Sequence, residues 1–277
     1  MATGGREFAT ADEKTAQLGS DAAPGVFPRT VEHANGTTEI EKKPKRVVVL
    51  DTGELDDVVS LGITPVGMVT TEGAEPVPSY LADKVKGVET VGTIAELDLE
   101  KIAALEPDLI LGSQLRADKL YDQLSSIAPT VFSIRPGFPW KENFQLAGEA
   151  LGMEEQATKE LNEYGRAAKE LDSEITGDPT VSLVRWMPER IRLYGHASLI
   201  GVILDDVGLS RPAVQDVDDL AVEISPENLD KANGDYIFYT SYGDPEATGE
   251  ADALAGSQWK GLEAVKNDKA FRVDDDV

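Results

Sequence analysis

Two segments of the chain align without a gap, Glu100–Ser113 and Glu227–Thr240. Each opens as a helix and stops, at Pro107 in the first and Gly234 in the second. Each then passes through an Asp into an apolar run, Asp108-Leu-Ile-Leu and Asp235-Tyr-Ile-Phe. A helix–strand unit of this kind buries its apolar face only against a sheet. Its repetition predicts two lobes built on one plan. Glu100 and Glu227 take the same place in the first helical turn of the two units. Glu is favoured there by the helix macrodipole alone, but the shared offset points to a paired surface role.

The length of 277 residues fits two lobes, at roughly 150 residues per domain. The first lobe opens with a hairpin over Val31–Glu41, turned at Asn35-Gly36. Val47–Leu50 reads as a buried parallel strand. A helix from Glu54 to Leu61, a strand over Thr64–Thr70 and a helix capped by Asp98 follow. Asp108–Leu111 and Thr130–Ser133 read as strands around a helix over Asp118–Ile127. Trp140–Ile175 has helical periodicity only, as a short helix and then a long one. Beyond Gly177-Asp178-Pro179 come strands at Val181–Met187, Ile191–Tyr194, Tyr236–Tyr239 and Ala270–Val273, with helices at Ser198–Val207 and Trp259–Val265. This alternation predicts an α/β chain. Its parts are a flexible N-terminal tether over 1–26, an N-terminal lobe over 27–139, linker helices over 140–178 and a C-terminal lobe over 179–277. The tether follows from composition, since Met1–Pro24 is rich in Ala, Gly, Thr, Ser and Asp.

A formal charge of −25 argues against nucleic acid and anionic membrane surfaces as partners. The absence of cysteine removes disulfides, thiolate metal sites and cysteine nucleophiles. No glycine-rich phosphate loop and no G-x-S-x-G elbow occurs. Of the two histidines, His33 is expected at the surface of the hairpin and His196 in a solvated loop. Neither spacing predicts a resident metal. Asp274–Asp276 reads as a solvated acidic end. The chain is read as a non-enzyme without a cofactor.

Ligands of open α/β sheets meet the carboxyl ends of the strands. The residues following the predicted strands are therefore the candidates. They include Thr52 after the first strand and Arg116 after the Asp108 strand. Trp140 follows the Thr130 strand, Arg185, Trp186 and Arg190 lie at the next, and Tyr239 and Tyr242 close the Tyr236 strand. Aromatic faces and guanidinium groups suit a bulky ligand with an apolar body and anionic oxygens.

At these residues the chain resembles the siderophore-binding proteins of iron-complex ABC import systems, a cluster that includes haem and vitamin B12 binders. The matching segments are Gly36–Asp51, Leu61–Gly67, Leu99–Leu111, Ile191–Gly195 through Asp206–Gly208, and Trp259–Lys266. The look-alikes are actinobacterial lipoproteins for hydroxamate siderophores such as ferrioxamine. The resemblance implies two Rossmann-like lobes joined by a single long helix, the class III periplasmic-binding-protein-like plan. It implies a monomer outside the cell, anchored to the membrane as a lipoprotein, that delivers its ligand to an ABC permease and its ATPase. Permease docking falls on Glu100 and Glu227, and ligand contacts on Arg116 and on the loop from His196 to Ser198. Some hydroxamate binders carry Trp and Arg in that loop. Here Ser198-Leu199-Ile200 stand there, so Trp186 is nominated instead. The expected ligand is a ferric hydroxamate siderophore whose iron is already wrapped in oxygens, so the protein supplies no metal ligand. A haem or corrinoid binder of the same fold is the alternative, with Tyr239 or Tyr242 as a haem ligand.

Overall fold

Asn35-Gly36 turns the chain as predicted. Arg29–His33 (β1) and Gly36–Ile40 (β2) pair antiparallel, with His33 opposite Gly36. The computed structural model describes residues 7–71 and 76–275. The chain divides into two compact units, Met1–Tyr164 and Gly165–Val277.

In the first unit, five parallel strands form one sheet: Val47–Val49 (β3), Gly67–Thr70 (β4), Glu89–Thr93 (β5), Leu109–Ser113 (β6) and Thr130–Ser133 (β7). Their order is β5-β4-β3-β6-β7. The chain starts in the middle, moves outward on one side, and returns to build the other. The crevice between the carboxyl ends of β3 and β6 is therefore the topological switch point. Helices Thr52–Ser60 (α1), Leu99–Ala104 (α2), Gln114–Ala117 (α3), Tyr121–Ile127 (α4) and Trp140–Leu151 (α5) surround the sheet. Successive strand side chains point to opposite faces. Val47, Val49, Leu109 and Leu111 thus join the core under α1 and α5, and Val48, Ile110 and Phe132 the core under α2 and α4. Gly152, at φ 63°, closes α5 in the left-handed region that only glycine enters without strain. The chain then starts Glu154–Glu174 (α6), and the division between the units falls within this helix.

Two expectations for this unit are corrected. From residue 7 the N-terminal segment is packed chain, not a tether; residues 1–6 lie outside the described residues. Phe8 and Thr15 are buried, the Ala11 N–H donates to Glu142 Oε1 at 2.8 Å, and Gly19 bridges to Glu32. One aromatic anchor and a few backbone bonds suffice to order a segment whose composition reads as loose. His33 is also buried rather than exposed, at 3%. It faces inward in β1, where Nε2 lies 2.9 Å from Thr38 Oγ1, and burial lowers its pKa to about 4.

In the second unit the strands are Val181–Met187 (β8), Arg190–Tyr194 (β9), Ala221–Ile224 (β10), Tyr236–Ser241 (β11) and Ala270–Arg272 (β12). Their order, β10-β9-β8-β11-β12, repeats that of the first sheet. One strand differs, because β9 runs antiparallel to both neighbours. The helices are Leu199–Asp206 (α7), Glu250–Ala255 (α8), Ser257–Gly261 (α9) and Glu263–Lys266 (α10). The internal repeat is visible here: β6 and β11 hold equivalent positions in the two sheets. Glu100 is the second residue of α2, and Glu227 the second of a 3-10 helix over Pro226–Ala232.

Candidate functional site

The switch point of the first unit carries a guanidinium on a carboxylate. Asp51 lies just beyond β3 and caps α1, where its Oδ1 accepts from the Thr52 N–H at 2.8 Å. Its other oxygen accepts from Arg116 Nε at 2.9 Å. Asp51 is almost fully buried, whereas the Arg116 side chain is 41% exposed. Nη1 and Nη2 of Arg116 have no partner among the described residues. The carboxylate thus fixes the plane of the guanidinium through one edge and leaves the fork open to solvent. Thr52 lies half-buried beside it. Trp140 is half-buried too, with its ring edge-on to Tyr164 at 4.8 Å.

Beneath this pair lies Glu54, which sequence reasoning passed over although it stands one turn from Asp51. Glu54 is 6% exposed. Burial first, and then the charge of Asp51, push its pKa up to about 8, while Arg116 pulls the other way. Asp57, one further turn along α1, is also raised, by burial and then by Glu54. Glu54 and Asp57 line a small cavity with Ser133 and Asn143.

In the second unit the structure separates residues that the sequence groups together. Arg185 and Trp186 are neighbours in β8, so their side chains leave opposite faces of the sheet. Trp186 is 1% exposed, in the core. Its ring meets Tyr239 at 5.8 Å and Trp259 at 5.5 Å. Trp186 is therefore a core residue, not a ligand platform. Half-buried Tyr239 packs with it, 5.0 Å from Trp259. On the other face, Arg185 donates through Nε to Asp275 Oδ1 at 2.6 Å and through Nη1 to Tyr194 Oη at 3.2 Å. Its guanidinium lies 4.7 Å from the Tyr242 ring centroid. Asp275 is accordingly an ion-pair partner rather than part of a solvated tail; Asp276 lies outside the described residues. Exposed Arg190 and half-buried Arg192 share Glu223, at 3.2 and 3.1 Å. Arg192 was legible from alternation, since Arg190, Arg192 and Tyr194 lie on one face of β9.

The loop after Gly195 does not belong with these groups. Because β9 is antiparallel, with Met187 opposite Arg190 and Val184 opposite Leu193, its end lies beside the amino end of β8. Ser198 is buried there as the cap of α7: it donates to Gly195 O and accepts from the Gly201 N–H. His196 bridges two carboxylates, with Nδ1 2.9 Å from Asp205 and Nε2 2.8 Å from Asp216. Hydrogen bonds from these acids raise its pKa. The stabilisation is therefore complete below the ordinary value of 6.5 and is lost as pH rises through the raised one. Solvent screening keeps it small, so His196→Gln is expected to cost about 0.5–1 kcal/mol near pH 6 and close to nothing at high pH. Thermal melts of both proteins across that range check the difference.

Glu100 and Glu227 are both exposed. Among the described residues, no group of three His, Cys, Asp or Glu side chains could hold a metal ion, and no helix is long and apolar enough to cross a membrane.

A family model described as periplasmic binding protein matches residues 47–277. The chain is 37% identical over 264 residues to the probable siderophore-binding lipoprotein YfiY of Bacillus subtilis, covering 90% of this chain and 81% of that one. It is 30% identical to the Fe(3+)-citrate-binding protein YfmC of the same organism, over 94% of this chain and 82% of the relative. Among solved structures, Staphylococcus aureus SirA complexed with staphyloferrin B shares 35% identity with a TM-score of 0.76, over 90% of this chain and 89% of the other. The α/β fold is thus the class III periplasmic-binding-protein-like fold that the sequence predicts.

Proposed function

The chain belongs to the periplasmic binding protein family, and from that premise we propose that it captures a ferric siderophore outside the cell and hands it to an ABC importer. The observation that carries the reading is Arg116. Its guanidinium stands at the switch point, held by Asp51 through Nε, with both terminal nitrogens open. A chelate that encloses iron in oxygens presents acceptors in the geometry this fork takes. Thr52 borders the same corner. Within the second unit taken by itself, exposed Arg190 and the Arg185–Tyr242 stack are the cationic and aromatic groups that remain of the predicted set. The relative YfiY supports lipoprotein anchoring outside the cell. The protein acts as a monomer with its permease and ATPase.

Two ligand chemistries fit this reading. A ferric hydroxamate of the ferrioxamine kind needs apolar cover for its methylene linkers. Burial of Trp186 and packing of Tyr239 against it leave less of that cover than the sequence offers. A carboxylate-bearing ferric chelate relies on the open guanidinium fork instead, and the similarity to a citrate-binding relative favours it. Tryptophan-fluorescence titration with ferrioxamine B, ferric citrate, a ferric catecholate and haem separates these chemistries, haem included.

Arg116→Ala is expected to weaken the preferred ferric chelate by about tenfold or more, corresponding to ~1.5–3 kcal/mol for a charge-assisted bond. The guanidinium also pairs with buried Asp51, so some loss of melting temperature is expected, and the titration is read at a temperature where circular dichroism shows both proteins folded. Equal affinities for wild type and variant would remove Arg116 from the site.

A further inference from the structure

The cavity beneath Arg116 is lined by two buried acceptor atoms that have no partner. Glu54 Oε2 and Asn143 Oδ1 are buried without a hydrogen-bond partner, and both side chains line the same small space. The Asn143 amide cannot turn to help, because its Nδ2 donates to Arg135 O at 2.9 Å. The Ser133 hydroxyl bonds to the Glu54 carboxyl, which still leaves Oε2 unpartnered; a proton there turns an orphaned acceptor into a donor. The charged groups acting on Glu54 are Asp51, at the start of α1, and Arg116 on α3; Glu54 in turn raises the pKa of Asp57 on the same helix. From β7 the cavity receives Ser133, and from α5 Asn143, Leu146 and Ala147, none of them charged.

Resting on the proposed role of Arg116, we propose that Glu54 is a charge-selecting residue: neutral, it lets the Arg116 fork hold an anionic ferric chelate, and ionised, it repels one. With Glu54 neutral, only Asp51 balances the guanidinium. With Glu54 ionised, two carboxylates stand behind one cation, and a third negative charge in front is disfavoured. The direction of the shift agrees, since burial holds Glu54 protonated at neutral pH. Linkage is reciprocal. An anion that engages Arg116 weakens the cation's pull on Glu54 and adds a like charge, so it tightens the proton; the proton in turn tightens the anion.

The coupling can be read without any ligand. In the full chain labelled with 13C at Glu carboxyls and assigned by triple resonance, Glu54 is expected to titrate near 8. In Arg116→Gln its midpoint should move upward. A midpoint in the ordinary carboxylate range, or one that Arg116→Gln leaves in place, overturns the proposal. Ferric citrate is the anionic probe. Its affinity is expected to fall about tenfold from below to above the Glu54 midpoint, the effect of one pKa unit of like-charge coupling. Glu54→Gln should keep the tight, low-pH affinity throughout. Binding that is independent of pH in the wild type overturns the selection while leaving the function intact. Ferric citrate binding at no pH overturns both the anion reading of Arg116 and the selection built on it.

Discussion

Trp186→Ala is expected to cost about 3–5 kcal/mol, the range for deleting a buried large aromatic. For a unit of this size that lowers the melting temperature by about 10–25 °C. The physical reason is local. Trp186 fills the space between Tyr239 and Trp259 and joins Val184, Ile191, Leu193 and Ile237 in one core. β8 is paired on both sides, with β11 and β9, so its backbone is held in place around the void. Trp186→Phe should recover most of the loss. It keeps a ring in the stack and removes the indole N–H, which is buried without a partner. Circular-dichroism melts test both variants. A Trp186→Ala protein that melts like wild type while losing ligand affinity would restore Trp186 as a binding residue.

That contrast shows where the sequence was legible. The helix–strand repeat is local and read directly, so the equivalence of β6 and β11 came through, as did the acidic residue at each helix start. The Asp51–Arg116 corner was half legible: Arg116 was named from its place after a strand, but its anchor was not. Facing was also available, because adjacent strand residues cannot share a face; Arg185 and Trp186 could never both have met a ligand. Strand direction was available too and went unread. The three residues between the predicted strands Val181–Met187 and Ile191–Tyr194 are too few for a parallel crossover, so β9 had to run antiparallel and carry Ser198 to the far end of the sheet. Glu89–Thr93 and Ala221–Ile224 escaped notice as strands for a different reason. The first is broken by Gly92, and the second is four residues long among polar neighbours. Pairing with a longer strand, not local propensity, holds both in place.

Charge reversal at Glu100 and Glu227 is expected to stop delivery while leaving capture untouched. Both carboxylates are exposed. For Glu227, the Ser225 hydroxyl and its own backbone N–H hold the pKa below the ordinary value, so it stays ionised at any physiological pH. Among the described residues Glu100 makes no hydrogen bond or ion pair, and its helix is capped by Asp98 without it. Both side chains stand in solvent at the first turn of their helices, so a lysine at either place should leave the fold intact. A docking role predicts a much larger effect. Placing a cation where the permease offers one adds several kcal/mol of like-charge repulsion, and each 1.4 kcal/mol is about tenfold in affinity. Each single reversal should therefore reduce uptake of radiolabelled ferric siderophore by about tenfold or more, and Glu100→Lys with Glu227→Lys together should reach background. Fluorescence titration should give the wild-type affinity for all three proteins. Uptake at the wild-type rate by the double variant removes the docking assignment. Unequal losses from the two single variants would mean that the repeat marks shared ancestry of the units rather than a paired contact.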